Sequence, residues 1–194
     1  HCLKHELTGV EFIFHGGEPL LAGADFFRNF TAAANKILLP EIQPCFSVQT
    51  NATLLTREWL DLLTELKVSF GVSLDGTPEV NDANRVDHQG RGSYHRVKAG
   101  LDLIKSEDRF VENMNSVLTV ININSNPLEI YRHFRSLGVR MIDLRLPDAT
   151  HDIPPPGVDP QGSNTPYADW LIPVFDEWFD DADTGFTVRL FQNI

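Results

Sequence analysis

Short apolar runs alternate with stretches of helical period along the whole chain, and few folds accept that order. Residues 10–14, 45–49, 68–74, 116–123, 139–146 and 186–191 read as strands. Residues 24–39, 57–66, 93–105, 128–137 and 166–179 carry apolar side chains at helical spacing. Thr56 and Ser93 stand where helix caps belong, Asn126-Pro127 opens a helix, and Gly138 ends one. Residues 1–7 read as the last turns of a further helix, residues 75–92 as a long polar loop and residues 147–162 as a Pro-rich one. Pro173 falls inside the last helical pattern and predicts a kink. Strand–helix alternation implies right-handed βαβ units and a parallel sheet, barrel-like or doubly wound. With no internal linker, low-complexity tract or short repeat, residues 1–194 read as a single domain.

Composition removes several classes of function. The net charge of −11 opposes binding to phosphate backbones, so nucleic acid is not an expected partner. No stretch reaches the roughly 20 apolar residues of a membrane helix, so no membrane association is expected. Two cysteines, Cys2 and Cys45, are too few for a disulfide framework and fit a reducing, cytoplasmic location. Cys45 reads as a buried structural thiol. The chain starts with His1 and shows no signal sequence; the last strand lacks a following helix and the first helix a preceding strand. Both ends therefore read as cut from a longer protein.

The chemistry collects after the strands. The first strand stops at His15-Gly16-Gly17-Glu18-Pro19. Two glycines leave the backbone bare, and Pro19 holds Glu18 extended. This places one carboxylate at a strand's C-terminal end, where parallel α/β proteins bind ligands. Other strands are followed by Gln49, Thr50 and Asn51; by Ser73, Asp75 and Gly76; by Asn122 and Asn124; and by Asp148, Thr150 and His151. Each group alone reads as a turn. Polar groups at five successive strand ends favour a ligand site.

Two chemistries fit that site. A metal-dependent hydrolase or isomerase would use His15, Asp75, Asp148 and His151 as ligands and a metal-bound water as nucleophile, although no tight His-x-His or HExxH spacing is present. Alternatively, Glu18, Ser73 and the asparagines would cradle a zwitterionic, nucleotide-like cofactor, with Arg85 or Arg91 holding its carboxylate.

The order GGEP, QTNATLLT, VSLDGTPEVNDANR and GRGSYHRV resembles the radical S-adenosylmethionine enzymes with a SPASM extension, which include anaerobic sulfatase-maturing enzymes and ribosomal-peptide maturases. The run LPDATHDIPPPG, residues 146–157, resembles the maturases that close three-residue cyclophanes in precursor peptides. The resemblance implies a partial parallel (β/α)6 TIM-like barrel, here truncated at both ends, that binds S-adenosylmethionine (AdoMet) and a [4Fe–4S] cluster. It implies that Gly16, Gly17, Glu18 and Pro19 contact the methionine amino group. Ser73 and Arg85, with neighbouring Asp75, would hold the carboxylate and ribose, while Asn51, Val120 and Asn122 line the adenosine. The implied reaction is one-electron cleavage of AdoMet to a 5′-deoxyadenosyl radical, hydrogen abstraction from a peptide β-carbon and crosslinking to a neighbouring ring. Oxidation to formylglycine, as in the sulfatase-maturing branch, is the alternative. The implied partners are a precursor peptide and an electron donor such as flavodoxin or ferredoxin. A non-catalytic peptide-binding barrel is a further reading.

The family's CxxxCxxC loop and its cysteine-rich SPASM region are not in this sequence, which reads as the central and C-terminal part of such a barrel. The cluster is therefore expected only in a full-length parent, and this chain alone is expected to lack radical activity. Asp148 and His151 are the candidates for catalytic groups on the substrate side. His1, His5, His88, His95 and His133 read as solvated or helix-surface residues, His15 as shaping its turn, and Trp170, Phe175 and Trp178 as core.

Overall fold

The computed structural model describes residues 3–150, 152–159, 161–181 and 185–192. The chain divides into two compact units, His1–Ser73 with His95–Asn115, and Leu74–Tyr94 with Ser116–Ile194. All described strand pairs are parallel, the arrangement expected of an α/β chain.

In the first unit, β1 (Gly9–Phe14) pairs with β2 (Gln43–Thr50), and β2 with β3 (Val68–Ser73). Helix α1 (Ala24–Leu38) joins the first two strands and α2 (Arg57–Glu65) the next two. Thr56 caps α2 by accepting the Trp59 amide, as its position predicted. The inward face of α1 is Phe27, Thr31 and Ala34; Phe26 and Ile37, which share the helical pattern, are exposed. An aromatic cluster fills the space beneath: the Phe14 and Phe27 rings lie 4.7 Å apart, Phe27 meets Trp59 edge-on at 5.5 Å, and the register partners Phe12 and Phe46 stack. Such ring pairs add about 0.5–1.5 kcal/mol each beyond the area they bury. Cys45, expected to be buried, is exposed. Side chains alternate along β2, and this register turns Pro44 and Phe46 inward and Cys45 outward. Cys2 lies outside the described residues.

In the second unit, β4 (Met114–Val120) pairs from Val117 onward with β5 (Met141–Arg145), and β5 with the two-residue β6 (Thr187–Val188). Helix α6 (Pro127–Ser136) is capped by Asn126, which accepts the Leu128 and Glu129 amides. Helix α7 (Pro166–Asp180) contains Pro173. Buried Tyr131 meets Phe186 edge-on at 5.4 Å.

Several elements depart from the sequence expectation. The N-terminal helix is a 3₁₀ turn, Leu3–His5. The polar loop after β3 contains α3 (Pro78–Asn84), stabilised around the fully buried amide of Asn81 rather than an apolar stripe. Helix α4 (Tyr94–Ile104) is followed by the short α5 (Asp108–Asn113), whose one buried side chain is Phe110. The last strand keeps only Thr187 and Val188, and residues Arg189–Phe191 turn into a 3₁₀ segment. His133 is not a solvated surface residue: it is half-buried, with Nε2 2.9 Å from the hydroxyl of buried Tyr94.

Replacing Phe27 by Ala is expected to cost about 3–5 kcal/mol, because the ring is fully buried against Phe14, Phe26 and Trp59, and urea unfolding would measure it. A pH effect follows from His133. Burial holds its imidazole pKa below the ordinary 6.5, against the pull of Glu79 and Glu129. The unfolded chain then takes up the proton more readily, so the fold loses stability as pH falls through that ordinary value. In His133→Gln the drop in Tm between about pH 8 and about pH 5 should be smaller than in the parent.

Candidate functional site

The turn after β1 is built around Glu18. Gly16 has φ +132°, a conformation that favours glycine, and its amide donates to Nδ1 of exposed His15 at 2.9 Å. A side chain at Gly16 or Gly17 would meet nothing within 4 Å, so this backbone borders open space. Glu18 is extended and caps the 3₁₀ turn Pro19–Ala22. Its Oε1 accepts from the Leu20 amide at 3.1 Å and the Thr50 hydroxyl at 2.8 Å; its Oε2 accepts from the Asn51 amide at 2.8 Å. An ionised carboxylate has about four acceptor positions, so three protein donors leave about one for a ligand.

The end of β2 is fixed as firmly. Thr50 Oγ1 accepts the Ala52 amide, and Asn51 Oδ1 accepts both the amide and the hydroxyl of Thr53. Ala52 sits at φ +55° and is buried, and α4 approaches it closely because Gly100 has no side chain. Gln49 Nε2 donates to Ser73 Oγ at 2.9 Å across β2 and β3. The bare Gly71 leaves room for the Gln49 amide in this position; a Cβ there would displace it. Three strand ends of the first unit are thus tied side chain to side chain.

The second unit carries a different centre. Both Asp75 oxygens receive the Arg85 guanidinium, Nε at 2.6 Å and Nη2 at 2.9 Å, and Oδ1 also accepts the Val120 amide at 3.0 Å. The Asp75 amide donates to Asn81 Oδ1, whose Nδ2 reaches Asp82 and Ser93. Asp82 in turn accepts the Tyr94 amide. This chain of bonds fixes Arg85, which is about a quarter exposed and keeps Nη1 for another acceptor. Arg91, the other candidate cation, is exposed and held by Asp87, whose carboxyl is lowered to about 2 by hydrogen bonds from the Arg91 backbone and side chain. Asn122 forms a turn, accepting the Asn124 amide. Asp148 is exposed and bonds to none of these residues. His151 lies outside the described residues.

The structure therefore brings Gly16, Gly17 and Glu18 to Thr50 and Asn51, Ser73 to Gln49, and Asp75 to Arg85 and Val120. Among the described residues no group of three or more His, Cys, Asp or Glu could hold a metal ion. The set proposed for a metal loses Asp75 to Arg85. Sequence reasoning missed Asn81, whose role only its burial discloses, and the Thr50 hydroxyl as the partner of Glu18.

Glu18→Gln should loosen the turn, because an amide cannot accept from all three donors on its two ends. We expect faster hydrogen exchange at the Leu20 and Asn51 amides and a stability loss of about 1–3 kcal/mol.

No family model matches the chain. Curated relatives do. It is 31% identical over 194 residues to the cysteine-type anaerobic sulfatase-maturating enzyme of Clostridium novyi (strain NT), covering 94% of this chain and 49% of the relative. It is 28% identical over 200 residues to the serine-type enzyme of Bacteroides thetaiotaomicron, covering 95% of this chain and 47% of the relative. Among solved structures, native anSMEcpe with bound AdoMet and Cp18Cys peptide superimposes with a TM-score of 0.77 at 26% identity, over 95% of this chain and 51% of that one. Streptococcus suis SuiB shares the fold, with a TM-score of 0.54 at 14% identity over 93% of this chain and 39% of that one. The chain spans about half the length of the curated relatives it matches. It is a homologue of the anaerobic sulfatase-maturating enzymes, with the α/β fold of the corresponding half of these radical S-adenosylmethionine peptide maturases.

Proposed function

We propose that this chain is the AdoMet-binding part of a radical enzyme that oxidises a side chain of a peptide or protein substrate. The observation that carries this reading is the bare Gly16–Gly17 backbone beside a Glu18 carboxylate that protein donors hold in place, in a chain homologous to maturating enzymes. In the first unit, Glu18 would take the ammonium group of AdoMet at its remaining acceptor position. Ser73 and Asn51 would donate to its polar edges. In the second unit, Arg85 is pre-oriented by Asp75 and would take an anionic group such as a carboxylate; Val120 and Asn122 are further candidates for contact with AdoMet. When bound and reduced, AdoMet supplies hydrogen abstraction from carbon. The iron–sulfur cluster that such reduction needs finds no ligand set among the described residues, where Cys45 is the lone thiol. An electron donor such as flavodoxin or ferredoxin and a reducing, cytoplasmic setting accord with this chemistry and with that exposed thiol.

Oxidation of a cysteine or serine side chain to formylglycine is the reading supported by the names of the relatives. Cyclophane crosslinking is a second reading, supported by the run at residues 146–157.

The test uses the protein expressed from its whole reading frame, reconstituted anaerobically with AdoMet and dithionite. AdoMet binding measured by calorimetry should weaken about tenfold or more in Arg85→Lys, which cannot reproduce the two-pronged pairing with Asp75. Mass spectrometry of cysteine- and serine-containing peptides would separate an aldehyde product from a carbon–carbon crosslink. Absence of AdoMet binding would overturn the proposal.

A further inference from the structure

A second cationic centre stands at the ends of β5 and β6, among residues the reading above does not use. The alternation of β5 puts Ile142 and Leu144 on one face and Met141, Asp143 and Arg145 on the other. Asp143 is nevertheless buried, at 6% exposure. A buried carboxylate needs a partner. It has two: Arg145 Nη2 at 2.9 Å and Arg189 Nη1 at 3.2 Å, both on Oδ2.

One arginine would neutralise Asp143, so the pair leaves one positive charge over. The two guanidiniums are more than half exposed, 54% and 60%. Each carries five N–H donors and no described bond besides the one to Asp143 engages its side chain, so most donors face outward. Elsewhere in this acidic chain, Arg132 meets Glu177, Arg135 meets Asp181, and Arg57 and Arg109 share the two carboxylates of Asp61 and Glu107. At Arg145 and Arg189, by contrast, two guanidiniums share one carboxylate. The location of this pair matters as well. Arg145 is the last residue of β5, and Arg189 follows directly after β6. Ligands of parallel α/β folds sit at these C-terminal strand ends. Arg145 is also the register partner of Val120, whose amide holds the Asp75–Arg85 pair.

We propose that Arg145 and Arg189 form an anion subsite that binds a carboxylate side chain of the peptide substrate, with Asp143 as the positioning residue that sets both guanidiniums. The assignment to the substrate rests on the proposed function, in which Arg85 already serves AdoMet. A planar, forked donor suits a carboxylate better than a point charge does. Substrates with Asp or Glu near the modified residue would be preferred.

The experiment is an NMR titration of the Arg Nε–Hε resonances with N-acetyl-glutamate α-amide at low salt, and with the neutral N-acetyl-glutamine α-amide as control. We expect saturable shifts at Arg145 and Arg189, at least about tenfold weaker binding of the glutamine analogue, and a similar loss in Arg145→Gln and in Arg189→Gln. Each single variant leaves one arginine on Asp143, and the titration of the parent protein needs no variant. No saturable shift, or an equal response to the neutral analogue, would overturn the subsite. Displacement of the glutamate probe by AdoMet would overturn its assignment to the peptide, since the carboxylate bound would then be AdoMet's own. Loss of the carboxylate response with AdoMet binding intact refutes this subsite alone; absent AdoMet binding refutes the function proposed above.

Discussion

The carboxylate of Glu18 is the interaction on which the first unit's strand ends depend. It ends β1, caps the turn that leads into α1, and takes the hydroxyl of Thr50 and the amide of Asn51 from β2. Each of these bonds has a charged acceptor, so each is stronger than a neutral counterpart. Their common effect is rigidity where a glycine turn would otherwise be loose. The open space beside Gly16 and Gly17 is then bounded by a fixed acceptor, which is how a site for a cationic group is preorganised.

The second unit repeats the device with opposite sign. There a carboxylate, Asp75, orients an arginine, and a backbone amide of β4 completes the carboxylate's shell. The partly buried pair is not a strong argument for stability, because desolvation offsets much of the attraction. It is a good argument for a guanidinium held in one direction. Asp143 acts in the same manner on Arg145 and Arg189, and the two centres are linked by the register of β4 and β5. An acidic chain thus presents cations at chosen places by spending buried carboxylates on their orientation.

Homology to maturating enzymes gives these centres a context. The relatives are about twice as long as this chain, and a ligand set for an iron–sulfur cluster is not found among its described residues. What the chain does present is orientation: in the first unit a turn with a fixed acceptor, and in the second arginines set by carboxylates. Under the proposed function, such orientation would place reactants, which is a large part of catalysis.

The sequence by itself determined the alternation of strands and helices, the parallel pairing, the caps at Thr56 and Asn126, and the glycine turn before Glu18. These are read within a few residues, from period and local hydrogen bonding. It also brought forward Arg85 and Asp75 as neighbours in the same motif. It did not disclose that they bond to each other, that Gln49 reaches Ser73 over Gly71, or that Thr50 holds Glu18. Nor did it show α3, which is organised by one buried asparagine instead of an apolar stripe, or the outward face of Cys45. Those pairings lie 10 to 32 residues apart in sequence. They depend on strand register and on which face each residue takes, and a shift of one residue reverses that choice. Only the tertiary structure decided them.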